Sequence, residues 1–489
     1  MSELPDGWIE ATLGDVVRLR GEKATPTTVP HLPFLGLEDV EAHTSRIIKY
    51  VPVSDVRSAG ARFSAGEILY SRLRPYLNKV VTAEVEGLAS AEFLVLQPEI
   101  DIRGEFIRRR IMAEDFLAFA ALLDRGDRPR VNFEQIAEFP ILLPPAPEQR
   151  RIVAKLDALL AGVSRARKEI DRIPILIAHH KQALLAAAFS GELTREWREE
   201  NSSEVRPTNR QAQRRTVRRG VPETAHPQDF LDDWNKPPRW RFEHVGAFLL
   251  DGSIVDVKDG NHGSNHPKRG DFRPNGLPFI TAAQLTDDVF NYLDAPKIDG
   301  EPLNKLKVGF AEPGDVLLSH KGTVGRTAIC TQPCVLSPQT TYYRLNAENL
   351  NGAFLRYLFM SPFFQKQLRG VESQTTRDFV PILRQYQLFL LAPPLAEQEL
   401  IARILDEGFR WLNAAFAEHA RAEKLLPKLE QAILTKAFRG ELVAQDPADE
   451  SASVLLKRIR AERAAAGTDL KQRKPRGPKP PRVPDEKTA

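Results

Sequence analysis

Pro144-Pro145-Ala146-Pro147-Glu148-Gln149 opens a stretch that closes on Ala188-Phe189-Ser190-Gly191-Glu192-Leu193. The chain then writes it again, from Pro393-Pro394-Leu395-Ala396-Glu397-Gln398 to Ala437-Phe438-Arg439-Gly440-Glu441-Leu442. The step is the same at both ends: 397 − 148 = 249 and 441 − 192 = 249. Loops tolerate insertions and long packed helices do not, so equal length marks a rigid spacer. Between the marks Ile152, Leu156, Leu159, Val163, Ala166, Ile170, Ile173 and Ile177 alternate steps of four and three, a heptad seam. Ile401, Leu405, Gly408, Leu412, Ala415, His419, Ala422, Leu426, Leu429 and Ile433 repeat it. Glu148 suits the first turn of a helix and Gly191 its end. Pro174 and Pro427 lie inside the seams and predict a kink or break.

Outward from these helices the chain alternates. Residues 1–143 read as a strand-rich mixed domain, 144–194 as the first spacer helix, and 195–238 as a linker. Residues 239–392 read as a second mixed domain, 393–445 as the second spacer helix, and 446–489 as a basic, largely disordered tail with a short amphipathic piece, Val454 to Ala466. The Arg-rich run Arg206 to Arg219 is a solvated linker or a contact to a nucleic-acid backbone. Pro313–Ser319 answers Ala65–Ser71 at a step of 248, and Thr341–Leu345 answers Glu92–Leu96 at 249. Trp240 answers Trp8 at 232, so the second domain has gained 248 − 232 = 16 residues, assigned to the Gly- and Asn-rich stretch Lys258 to Gly276. Two seams without partners bury each other best as an antiparallel pair. The expected fold is therefore α+β: two similar mixed domains separated by two long helices packed as an antiparallel coiled coil, an internal pseudo-twofold repeat.

A chain of 489 residues holds more than one domain, and a net charge of +4 confines any polyanion contact to local patches. Two cysteines exclude a disulfide framework and fit a reducing compartment. The N-terminus lacks a basic-then-apolar pattern and the apolar runs are too short for a bilayer, so a cytoplasmic location is expected. Neither Gly-x-x-x-x-Gly-Lys-Ser/Thr nor the Asn/Asp-Pro-Pro-Tyr/Phe of an amino-methyltransferase occurs. Two related domains on a rigid spacer suit two separated sites on a repetitive polymer, duplex DNA above all.

The doubled Leu-Pro-Pro-x-x-Glu-Gln and Ala-Phe-x-Gly-Glu-Leu marks resemble the specificity subunit of type I restriction–modification systems. Gly66–Arg72, Gly314–Ser319, Asp259–His262 and the tail segment Asp449–Arg463 share the likeness. The resemblance implies two target recognition domains, each reading half of a bipartite asymmetric DNA site. It implies helices that dock two adenine methyltransferase (modification) subunits, and restriction motor-nuclease subunits in the full complex. S-adenosylmethionine, ATP and Mg²⁺ are then expected on those partners, with no catalytic residue, cofactor or metal on this chain. An enzyme with unrecognised motifs, cleaving or methylating DNA, and a coiled-coil interaction scaffold are the alternatives.

Arg, Lys, Asn and His suit base edges and phosphates alike. In the first domain Ser71, Arg72, Arg74, Tyr76 and Lys79 form one polar loop, and Arg128, Arg130 and Asn132 a second. Each is a DNA contact or an ordinary exposed turn. In the second domain the corresponding set is Asn261, His262, Asn265, His266, Lys268 and Arg269, with His320, Lys321 and Thr323, and Gln374, Thr375, Thr376 and Arg377. Glu148, Gln149, Phe189, Glu192, Glu397, Gln398, Phe438 and Glu441 are either helix-end residues or the partner-docking set. His262, His266, Cys330 and Cys334 could assemble a zinc site. Against that, a step of 249 sets the cysteines on Val81 and Val85, as buried strand residues.

Overall fold

The computed structural model describes residues 4–123, 129–201, 221–222, 224–225, 237–263, 266–285, 290, 292–371 and 379–472. They divide into two compact units, Met1–Asp171 with Arg421–Ala489, and Arg172–Ala420. Each unit holds one mixed domain and a portion of both long helices.

In the first unit, a four-stranded sheet runs in the order Val17–Leu19, Phe93–Pro98, Ile68–Ser71, Val80–Thr82. The second unit repeats it as Ile254–Asp259, Thr340–Leu345, Val316–Ser319, Thr327–Ile329. Each domain adds a five-stranded sheet of short strands containing one parallel pair, Phe34 beside Leu88 and Phe279 beside Val335. Each is also closed by its own first and last strands, Ile9–Thr12 on Pro140–Leu143 and Arg241–His244 on Phe389–Ala392. That closure returns the chain to the long helix directly. Alternate apolar positions make one face of each main sheet core: Ile68 and Tyr70 lie in one cluster, Val316 and Leu318 in its counterpart.

Strand register corrects the assumed constant step. Ser71 faces Phe93 and Ser319 faces Thr340, so the steps are 319 − 71 = 248 and 340 − 93 = 247. Thr341 therefore answers Leu94, not Glu92. Register also distributes the sixteen gained residues. The step is 254 − 17 = 237 at the first sheet strand, 279 − 34 = 245 at the parallel pair, and 310 − 62 = 248 at the next. The stretch Lys258 to Gly276 thus takes about half of the gain. It carries a short edge strand, Phe272–Arg273.

The long helices span Ala146–Phe189 and Leu395–Phe438 and run without a break through Pro174 and Pro427. A proline forfeits one backbone bond, and the apolar face on either side of it holds the helix together. In the first unit Ile152, Val153 and Leu156, near the start of one helix, share a core with Leu434, Ala437 and Phe438, at the end of the other. Arg167 pairs with Glu430 at 3.1 Å on the same side. In the second unit Leu185, Ala188 and Phe189 pack on Ile401, Ala402, Leu405 and Phe409. Start meets end in both, so the pair is antiparallel. Gly408 permits the approach, since a Cβ there would stand 2.5 Å from Leu184 Cδ2. Most seam residues are buried or half-buried; Ala166 and Leu429 are exposed.

The tail departs most from expectation. Ala452–Gln472 is a helix, and Ala452, Leu455, Leu456 and Ile459 enter the first unit's core. Arg463 reaches Glu99 at 2.6 Å and Arg458 reaches Asp101 at 2.7 Å. The apolar residues at i, i+1 and i+4 carry this stripe, which the surrounding Lys and Arg obscure in composition. Residues 473–489 lie outside the described residues.

Candidate nucleic-acid interface

In the first unit the hairpin loop after Ile68–Ser71 is stitched to the segment that re-enters at Pro129. The Arg72 amide donates to Glu92 O at 2.9 Å, and its carbonyl accepts from the Val131 amide at 3.1 Å. The Arg74 amide donates to Pro129 O at 2.9 Å. Leu73 forms a bridge with Arg130. Arg74 and Asn78 adopt left-handed backbone, φ 52° and 48°, which L-residues take only when their surroundings enforce it. The two polar loops of the sequence thus become one surface. On it Arg74 and Tyr76 are exposed and Arg72 is half-buried. Arg130 is exposed but paired with Glu92. Lys79 donates to Leu37 O at 2.7 Å. Asn132 caps the short helix Phe133–Ala137 through the Gln135 amide at 2.8 Å. Arg128 lies outside the described residues.

The second unit makes the same stitch. The His320 amide donates to Gln339 O, its carbonyl accepts from the Val380 amide, both at 2.9 Å, and Lys321 bridges Phe379. The Lys321 ammonium stands 5.4 Å over the Phe379 ring, and Thr323 is exposed. His262 is exposed and paired with Asp259 at 2.7 Å; His266, Lys268 and Arg269 are exposed. Asn265, Gln374, Thr375, Thr376 and Arg377 lie outside the described residues.

Three of the predicted contacts are interior instead. Ser71 is 2% exposed and its hydroxyl donates to Leu73 O. Asn261 accepts the Lys307 amide and donates to Val308 O, fastening its loop from within. His320 is fully buried; its Nδ1 donates to Val380 O at 3.1 Å, and its Nε2 has no partner among the described residues. Burial, only partly offset by Asp259, pushes its pKa down to about 4, so the ring is neutral.

The Glu-Gln pairs are interior too, which corrects their assignment to partner docking. Glu148 accepts the Trp8 indole at 3.0 Å and the Gln445 amide at 3.3 Å. Burial raises its carboxyl above the usual range. Glu397 accepts the Trp240 indole at 3.1 Å, Thr194 at 2.7 Å and the Arg198 guanidinium at 2.6 Å. Gln149 accepts the Arg103 amide and donates to Pro144 O; Gln398 accepts the Asn351 amide and donates to Pro393 O. Phe189 and Phe438 belong to the two cores. These six side chains have almost no surface to offer a second chain; Glu192 and Glu441 are exposed. The sequence marks the Glu-Gln pairs by repetition, but nothing in it names Gln445 or Arg198 as their partners.

The type I restriction modification DNA specificity domain matches residues 5–173 and again 252–415. The chain belongs to this specificity family. Each unit carries one copy of the family's domain. The EcoAI specificity subunit of Escherichia coli is 49% identical over 478 residues, 84% of this chain and 79% of that protein. The EcoDI specificity subunit of Escherichia coli is 30% identical over 204 residues, 41% of this chain and 46% of that protein. The chain thus spans about half the length of that relative. In fold, it resembles the HsdS subunit from Thermoanaerobacter tengcongensis, with a TM-score of 0.60 at 24% identity, over 90% of this chain and 98% of that one.

Within this family member Cys334 opens a strand and Cys330 directly follows one, by a corrected correspondence. Cys334 faces Ala311 as Gly87 faces Phe63, so Cys334 answers Gly87, and Cys330 follows Ile329 as Ala83 follows Thr82. Both are buried and free, sulfurs 3.6 Å apart, while His262 and His266 are exposed. Among the described residues no group of three or more His, Cys, Asp or Glu could hold a metal, and no helix is long and apolar enough to cross a membrane.

Proposed function

We propose that this chain is the non-catalytic, DNA-reading subunit of a type I restriction–modification complex, working in the cytoplasm, with each unit reading one half of a bipartite asymmetric site. One observation carries it: both units tie the strand-end loop by the same pair of backbone bonds, one to the residue before the neighbouring strand and one to the returning segment, at Arg72 and at His320. The side chains displayed around that frame differ: Arg74 and Tyr76 are exposed in one, and in the other Thr323 is exposed beside a Lys321 that stands over the Phe379 ring. A shared frame with divergent side chains is what two readers of different half-sites require. Two adenine methyltransferase subunits, which bind S-adenosylmethionine, and motor-nuclease subunits, which use ATP and Mg²⁺, supply the chemistry. With the Glu-Gln pairs buried, docking falls to the outer faces of the long helices, where Trp411 is 69% exposed and Ile175 60% in one unit, and Leu425 59% in the other.

Mapping methylated adenines in DNA from cells carrying the complex tests this. The expected pattern is one motif of two unlike halves at a set spacing. Methylation by the purified chain alone, or at a single contiguous motif, overturns it.

A further inference from the structure

We propose that Arg72 reads a guanine in the half-site of the first recognition domain, a step that rests on the DNA-reading function above. The other cations on this surface are committed or exposed. Arg130 is neutralised by Glu92, and Lys79 is spent on Leu37 O. Arg74 is exposed, as a phosphate contact would be. Arg72 differs in two ways. Its backbone is held at both its amide and its carbonyl, so its side chain starts from a defined point. Its guanidinium has no acid partner and no hydrogen bond among the described residues, and its Nε is sealed from water without an acceptor. The two terminal nitrogens, also without a partner among the described residues, are not sealed, and an acceptor from outside the chain can reach them.

A recessed planar fork fits the O6 and N7 acceptors of guanine, which project into the major groove toward a reader. Phosphates line the outside of the duplex and are met by exposed cations such as Arg74. The equivalent position in the second unit is closed, because His320 is fully buried against Phe379, with ring centroids 5.7 Å apart. Guanine reading from this position therefore belongs to the first domain alone, and the two half-sites differ there.

The test uses the chain assembled with its methyltransferase subunits and a library of duplexes randomised across the site. Arg72→Gln and Arg72→Lys are both expected to lose about 10- to 100-fold of discrimination for guanine at one position of one half-site, with the other half-site unchanged. Lysine keeps the charge but not the fork, so it separates base reading from charge. Arg74→Gln is expected to weaken all sequences alike and to lower the salt slope by about one. Uniform weakening by Arg72→Gln, full retention by Arg72→Lys, or a first half-site without guanine overturns the proposal while leaving the DNA-reading function standing. A wild-type complex with no sequence preference sinks that function, and this proposal with it.

Discussion

Glu148 and Glu397 hold equivalent indoles, yet their second partners differ in charge. Glu397 is 1% exposed and opposes Arg198, which also lies 5.7 Å over the Trp240 ring; Glu148 is met by the neutral Gln445. Removing one partner of a buried ion pair strands the other charge. Glu397→Gln is therefore expected to cost about 3 kcal/mol in urea unfolding, and Glu148→Gln about 1 kcal/mol. Equal costs would show that Arg198 finds water or another acceptor. His320 supplies a pH-dependent contribution. Its folded pKa of about 4 lies below the ordinary 6.5, because burial outweighs the nearby Asp259, while His262 and Lys321 act in the same direction as burial. Above pH 6.5 neither folded nor unfolded chain protonates it. Between 6.5 and 4 only the unfolded chain takes up the proton, so stability falls with pH, and the loss levels off below 4. The stability gap between wild type and His320→Gln should narrow by up to about 3 kcal/mol across that window. A constant gap would refute the sealed, neutral ring. Neither role was legible in sequence, where Glu-Gln looks like a helix start and His320 like one more polar loop residue. Burial there is set by elements distant along the chain.

The long helices were readable because their seams recur over many turns, and only a helix buried along one side sustains that period so far. Their prolines misled, since a local rule about one lost hydrogen bond was outweighed by packing along the whole face. The C-terminal helix was half readable: the apolar stripe from Val454 was visible, its docking was not. Ile459 is fully buried and Val454 is 44% exposed. Ile459→Ala should lower stability by about 2–4 kcal/mol, against under about 0.5 kcal/mol for Val454→Ala. Thermal unfolding of the two variants checks this, and similar melting points would mean that the helix is dispensable to the first core.

Both units repeat one plan, and each pairs the start of one long helix with the end of the other. The domains are thus exchangeable modules on a shared frame. Replacing residues 1–143 by the corresponding domain of another family member is expected to change one half of the methylated motif and leave the other intact. Alteration of both halves would mean that the two readers are coupled. The repeat itself was legible from the doubled end marks, although its step was not constant: within the second domain it climbs from 237 at the first sheet strand to 249 where the segment returns at Val380.

The sequence by itself determined the duplicated architecture, the heptad helices and the polar loops, because periodicity and repetition are properties of order along the chain. Only the tertiary structure decided which polar residues face outward. It sent Ser71, Asn261, His320 and the Glu-Gln pairs inside, and left Arg72 half-buried with an unmet donor. A polar side chain is buried or exposed according to which distant backbone groups satisfy it. Those partners, such as Val380 for His320 and Trp8 for Glu148, lie 60 and 140 residues away.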